Sequence, residues 1–249
     1  MRAPALVALG MAAYGVFLVA TMPASFVASQ AQSRARGTLR VHEAHGTVWH
    51  GAARVDLALG GAWLPLDSVA WRLLPRELLS GRLAFAVDAQ AAGGTGKGTI
   101  ARGLAGWHAR GEASAPAAFA ANVVPLLSTW RPEGRIDVRS DGIAWDGREA
   151  QGEVVAEWRD AAVALSQVRP LGAYRATLRA EGANAKLAVT TLDGPLRIAG
   201  QGEAVWPSRF TFNGEARAEG ADARALDPLL DLLGPRRADG ARTLAWRMN

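Results

Sequence analysis

No cysteine occurs among the 249 residues. Disulfide cross-links, thiol catalysis and cysteine-ligated zinc or iron–sulfur centres are therefore excluded. Lysine is nearly missing too: Lys97 and Lys186 are the only two. The net charge of +5 thus comes from arginine, and the arginines are interleaved with acids along the chain. A nucleic-acid surface would need a clustered basic stripe with exposed aromatics, and the sequence has none. No Gly-x-Ser-x-Gly elbow is present, and no serine sits in a nucleophile context. Hydrophobic residues make up 49% of the chain, enough to build a core.

Charge is also absent from one long stretch, Ala3 to Ser33. Its apolar part, about Ala5 to Val27, is long enough to cross a bilayer once, because roughly 20 residues at ~1.5 Å rise span the ~30 Å hydrocarbon layer. A cleaved signal is the competing reading, with Met1-Arg2 as a positive start and Ser29-Gln30-Ala31 as a loose cleavage site. A signal's apolar region runs about 7–15 residues, shorter than this one. The expectation is an uncleaved transmembrane anchor over 1–28, a small polar linker over 29–37 and a domain over 38–249. Arg34, Arg36 and Arg40 outweigh Arg2, which leans against an external domain, but long domains translocate largely regardless of such counts.

Beyond the linker the pattern has period two. Arg54–Leu59, Arg82–Asp88, Arg135–Arg139 and Arg175–Arg179 each alternate polar and apolar residues, as half-buried antiparallel strands do. Gly60-Gly61, Asp141-Gly142, Asp146-Gly147, Glu181–Asn184 and Asn213-Gly214 read as turns between them. Two short helices are expected. One spans Asn122 to Trp130. The other covers 227–234, with Asp227 as N-cap, Pro228 at the first helical position and Gly234 as the stop. The predicted fold is mainly β: a single transmembrane helix, then a curved antiparallel sheet with one or two short helices.

Gly46-Thr47-Val48-Trp49-His50-Gly51 recurs as Gly142-Ile143-Ala144-Trp145-Asp146-Gly147. Loosely similar segments follow each: Asp67–Trp71 with Leu73-Leu74-Pro75, and Asp160–Leu165 with Val168-Arg169-Pro170. Two pseudo-repeats near 42–115 and 134–215 are the reading, stacked into one sheet because each alone would leave an apolar face uncovered. A Trp on a strand just before a Gly turn offers a large apolar body and one N–H donor. Trp49 and Trp145 therefore read either as core packing or as a contact for a partner or the membrane surface. The candidate partner-binding residues are Thr47, Val48, Trp49 and Trp145.

Three apparent sites fail on inspection. In Gly93–Thr99, Lys97 is followed by Gly98, so the magnesium-binding hydroxyl of a phosphate loop is missing, and a β-turn is expected. His42, His45 and His50 are close, but on a regular strand positions 42 and 45 face opposite ways. Asp137, Asp141 and Asp146 lie on a strand and its turns, and turn chemistry accounts for the last two. No catalytic residue, cofactor or metal ligand is assigned, and an enzyme is not expected.

Several of these segments resemble one family. Thr21-Met22-Pro23-Ala24-Ser25 looks like its post-membrane signature, and the Gly46–Gly51 hexapeptide resembles its Gly-Thr-[Val/Leu]-Trp-x-Gly motif. Val69–Pro75, Leu171–Tyr174, Asp193–Gly200 and Leu233-Gly234 fit later blocks. The chain resembles the type II secretion system protein N family, although 88–100 is unusually glycine-rich for it. The resemblance implies a single-pass bacterial inner-membrane protein with its bulk in the periplasm and no catalytic residues or cofactors. It would be an accessory component that couples or scaffolds others, with inner-membrane components C, L and M as neighbours and the secretin reached through C. A periplasmic lipid-binding or lipid-transfer module with an apolar groove is the alternative, and a soluble binding protein released by cleavage is a third reading.

Overall fold

Strict alternation places every second side chain on one face, so a run of such strands builds a sheet with one apolar and one polar side. The computed structural model describes residues 11, 14, 15, 17, 18, 20–59, 62–119, 121, 129–205 and 209–248. They form one 13-stranded open sheet in which each strand pairs with the next in chain order. The strands are β1 (Leu39–Gly46), β2 (His50–Leu59), β3 (Ala62–Leu73), β4 (Leu83–Ala91), β5 (Gly94–Gly103), β6 (Gly106–Pro116), β7 (Pro132–Trp145), β8 (Ala150–Val163), β9 (Gly172–Gly182), β10 (Asn184–Asp193), β11 (Leu196–Val205), β12 (Arg209–Ala218) and β13 (Arg242–Met248). Every pairing is antiparallel, so the sheet is an uninterrupted meander. The helices are short: α1 (Ala24–Arg34), α2 (Pro75–Leu78) and α3 (Asp227–Leu233), with 3-10 turns at Ala117–Phe119 and Ala223–Leu226.

Among the described residues, no helix is long and apolar enough to cross a membrane. Much of the expected anchor (1–10, 12, 13, 16 and 19), the Gly60-Gly61 turn and 122–128 of the expected connecting helix lie outside the described residues. Asp227 is the first residue of α3 rather than its cap, and Leu226 occupies the N-cap position.

Two of the expected turns are not turns. Asp141-Gly142 lies within β7, beside a bulge opposite β8. Asn213-Gly214 lies inside β12, with Gly214 directly opposite Gly200 of β11. The glycine-rich run at 93–99 is likewise mostly strand: Gly93 closes the hairpin and β5 starts at Gly94. These in-strand glycines permit close approach. A Cβ at Gly98 would meet the carbonyl oxygen of Arg110 at 2.6 Å, and one at Gly214 would meet that of Ala199 at 2.7 Å. Both Cβ directions point to the apolar side, where a side chain would force the paired strands apart.

The core sits at one end of this sheet. Leu226, Leu229 and Leu230 pack against Val163, Leu171, Leu196, Phe212, Ala216 and Leu244. The apolar stripe of α3 thus covers the last strands, at about 1.5–3 kcal/mol per large side chain removed from water.

Candidate junction turn and apolar face

The Gly46–Gly51 hexapeptide is the connection between β1 and β2. Thr47 donates its N–H to the His50 carbonyl at 2.9 Å, and the Thr47 hydroxyl accepts the His50 N–H at 3.2 Å. Gly46 has φ +85°, and a Cβ there would meet the His50 oxygen at 2.5 Å. A Cβ at Gly51 would strike the Trp71 ring at 2.7 Å. Trp71, on β3, donates its indole N–H to the Val48 carbonyl at 3.0 Å. The hexapeptide and Trp71 are therefore one packed unit, which is why two glycines flank the turn. Trp49 lies in the turn and is half-buried, not on a strand as its pattern suggested.

The remaining polar group of this turn holds the N-terminal segment. Val48 donates its N–H to Met22 O at 3.0 Å, and Pro23 forms a bridge with Thr47. From there α1 runs beside β1, where Gln32 accepts the Val41 N–H at 3.3 Å. An edge strand invites unwanted pairing, and α1 covers this one.

Trp145 is the last residue of β7, six strands away from β1, so the two repeated Trp residues do not meet. Both sit at the same end of the meander. The segments matched downstream do not correspond: Pro75 follows β3, whereas Pro170 follows β8 at the opposite end. Trp145 pairs instead with Trp107, and the two are 48% and 42% exposed. The row continues through Arg102 to Leu83. The Arg102 guanidinium lies 5.1 Å from the Trp107 ring centre, within cation–π range. Trp107 was not singled out from sequence; the signal was Gly106-Trp107, a second glycine–tryptophan strand end.

Register defines the two faces. Val69 and Trp71, Phe85 and Val87, Gly98 and Ile100, Ala109 and Gly111, Val138, Val154, Leu178, Leu187, Ile198 and Phe212 share one side through direct cross-strand pairing. Among the described residues, the helices that pack on the sheet do so at β1, β4, β7, β12 and β13. On the central strands of this face Ile100 is 44% exposed.

The other face is a charge ladder. Glu157 accepts from Arg159 at 2.6 Å and from Arg175 at 2.7 Å, Arg179 pairs with Glu153 at 2.7 Å, and Lys186 with Glu181 at 2.7 Å. Hydrogen bonds from Arg159 and Arg175 hold the Glu157 carboxyl below its ordinary pKa. The Asp146 carboxyl is lowered as well, chiefly by the backbone N–H groups of Glu149 and Arg148. That is an Asx turn closing β7 onto β8.

A β-bulge at Glu43, with φ +51°, sets His42 opposite Arg54 and His45 opposite Ala52. The bulge therefore brings the two imidazoles to one face, contrary to the regular-strand expectation. His42 hydrogen-bonds Asp56 at 3.0 Å, and among the described residues no three His, Asp or Glu side chains are grouped to hold a metal.

A family model described as type II secretion system (T2SS), protein N matches residues 37–245, which is nearly all of the β domain. The chain belongs to the protein N family of the type II secretion system. No curated protein and no solved structure matches it. Membership gives this chain a role in type II secretion, as an envelope-associated component working with others of that system.

Proposed function

We propose that this chain is a non-catalytic accessory component of the inner membrane, held there by a single pass over residues 1–28, with its β domain in the periplasm. It couples or scaffolds components C, L and M, and reaches the secretin through C. The observation that carries this reading is the junction: Met22 O accepts the Val48 N–H and Pro23 bridges Thr47. The apolar run is hydrogen-bonded into the sheet, so displacement of the anchor is transmitted to the strands.

Of the candidate partner residues, Trp145 is the stronger. Its ring is half exposed beside Trp107, the type of residue that dominates interface energetics. The backbone of Thr47, Val48 and Trp49 is spent on internal bonds, so that turn serves the junction first.

Tagged full-length chain would be solubilised from membranes with mild detergent, and C, L and M sought in the eluate. Co-purification of one or more, and loss of secretion on deletion, are expected. Trp145→Ala should reduce recovery of the partner at least fivefold while leaving the chain in the membrane fraction. Deletion that spares secretion, together with no component in the eluate, would defeat the proposal.

A further inference from the structure

Hairpin tips that face water are built from small or polar residues. The tips at β4–β5 (Ala92-Gly93), β7–β8 (Asp146–Glu149) and β10–β11 (Gly194-Pro195) follow that rule. Two others break it. The β5–β6 tip is Leu104-Ala105, and the β3–β4 connection carries Leu78 and Leu79 at the end of α2. Leu79 is 92% exposed and Leu104 is 105% exposed, so neither packs on the sheet.

These two connections are the next ones along the end of the meander that carries the Gly46–Gly51 turn. The first is tied to it directly: the Trp49 carbonyl accepts the N–H of Leu73, the last residue of β3, at 2.6 Å. On its other side the same turn bonds Met22 O. Phe17 and Leu18, about one helical turn earlier, are exposed. The apolar N-terminal run therefore leaves the sheet beside the leucine tips, with its own side chains bare.

Charge follows the same placement. Arg76, Arg82 and Arg102 border the two tips. The single carboxylate within 71–87 is Glu77, which is taken up by Arg82 at 2.9 Å. The Arg102 guanidinium lies over the Trp107 ring at the start of β6. Leucine tips, an indole at headgroup level and arginines that reach phosphate are the composition of a bilayer interface. A protein interface gathers its anchors in one packed centre, whereas these leucines stand on separate connections.

We infer that the Leu79 and Leu104 tips, with Trp107 and the arginines beside them, dip into the anionic phospholipid surface from which the apolar run emerges. The sheet then meets the bilayer twice, through the run and through this rim, and the second contact sets the tilt of its strands. Trp145, next to Trp107 on β7, is left at the edge of the rim for a partner. The tether rests on the anchored reading above; the chemistry of the tips does not.

The test uses the full-length chain reconstituted into vesicles of phosphatidylethanolamine and phosphatidylglycerol. Because the chain has no cysteine, Leu79→Cys, Leu104→Cys and the controls Ala92→Cys and Arg148→Cys each carry one nitroxide. Power saturation compares access of the nitroxide to oxygen, which concentrates in lipid, with access to a polar nickel chelate, which stays in water. The oxygen-to-nickel ratio at Leu79 and at Leu104 should exceed that at both controls by about fivefold. In cells, a photoreactive residue replacing Leu104 should cross-link to lipid. A control-level ratio at either tip, or a polypeptide adduct at position 104, would overturn the inference. A chain that resists alkaline carbonate while both tips stay in water removes the rim and leaves the single pass. A chain with immersed tips that carbonate strips from the vesicles removes the single pass and leaves the rim.

Discussion

The two ends of this sheet are held by different means. Over β12 and β13 the apolar face is roofed: Leu226 is fully buried, and Phe212, Leu229, Leu230 and Leu244 are nearly so. Among the described residues of β1–β7 the buried apolar side chains are Leu64, Ala53, Ala84 and Ala101, and the last two lie on the charged face. The alternation is the same at both ends. What differs is the segment after β12, which folds back and covers its strands. A sheet face without such a cover gains less from apolar burial and relies more on the backbone ladder. The lesson is that one end carries a domain core, whereas the described residues of the other form no such cluster.

That contrast can be broken by substitution, and the largest effect belongs to the roof. Leu226→Ala should lower stability by about 3–4 kcal/mol, read from urea unfolding in detergent, while Ile100→Ala on the central strands should cost under about 1.5 kcal/mol. Equal costs would end the comparison. Asp231→Ala comes next. It strips the carboxylate from Arg242, a side chain 3% exposed whose Nε has no hydrogen-bond partner. A loss of about 2 kcal/mol is expected, with α3 loosening from β13 in amide exchange.

Gly111→Ala tests the close approach of β5 and β6. Its Cβ would collide with the Lys97 carbonyl, so β5 and β6 must spread, at about 1–2 kcal/mol. The urea unfolding midpoint should fall accordingly, with faster amide exchange in β5 and β6.

Tyr174 sharpens the core-bearing end through pH. Its buried hydroxyl donates to the Leu196 carbonyl at 2.9 Å, and burial pushes the phenol well above its ordinary pKa of 10.0. The unfolded chain ionises first, so it binds fewer protons than the native state above pH 10. Stability is therefore full below that pH and falls as pH rises past it, at about 1.4 kcal/mol per unit. Tyr174→Phe should cost about 1 kcal/mol at neutral pH and remove that slope.

The smallest effect belongs to the outer ladder. Glu157→Gln should lower the unfolding midpoint only slightly at physiological salt, because its arginine partners are solvent-exposed and their attraction is screened and offset by side-chain ordering.

The fold class was legible because alternation is local. Arg82–Asp88 and Arg175–Arg179 announce β4 and β9 without any tertiary knowledge. The turns were less legible, since Asp-Gly and Asn-Gly serve two purposes. At Asp146-Gly147 the pair closes a hairpin; at Asn213-Gly214 it lets two strands approach inside the sheet. The hexapeptide was visible as a motif, but its reason was not. Trp71 lies more than twenty residues downstream, and only pairing of β2 with β3 brings it beneath the turn. Trp107 and Arg102 were missed for the same reason: their neighbours come from other strands.

Taken alone, the order of residues determined that the chain builds an antiparallel sheet with one charged and one apolar side, because side-chain direction on a strand has period two. Tertiary structure decided which stretch of that apolar side is covered. Cover depends on where a distant segment such as α3 folds back, and no local pattern encodes that return.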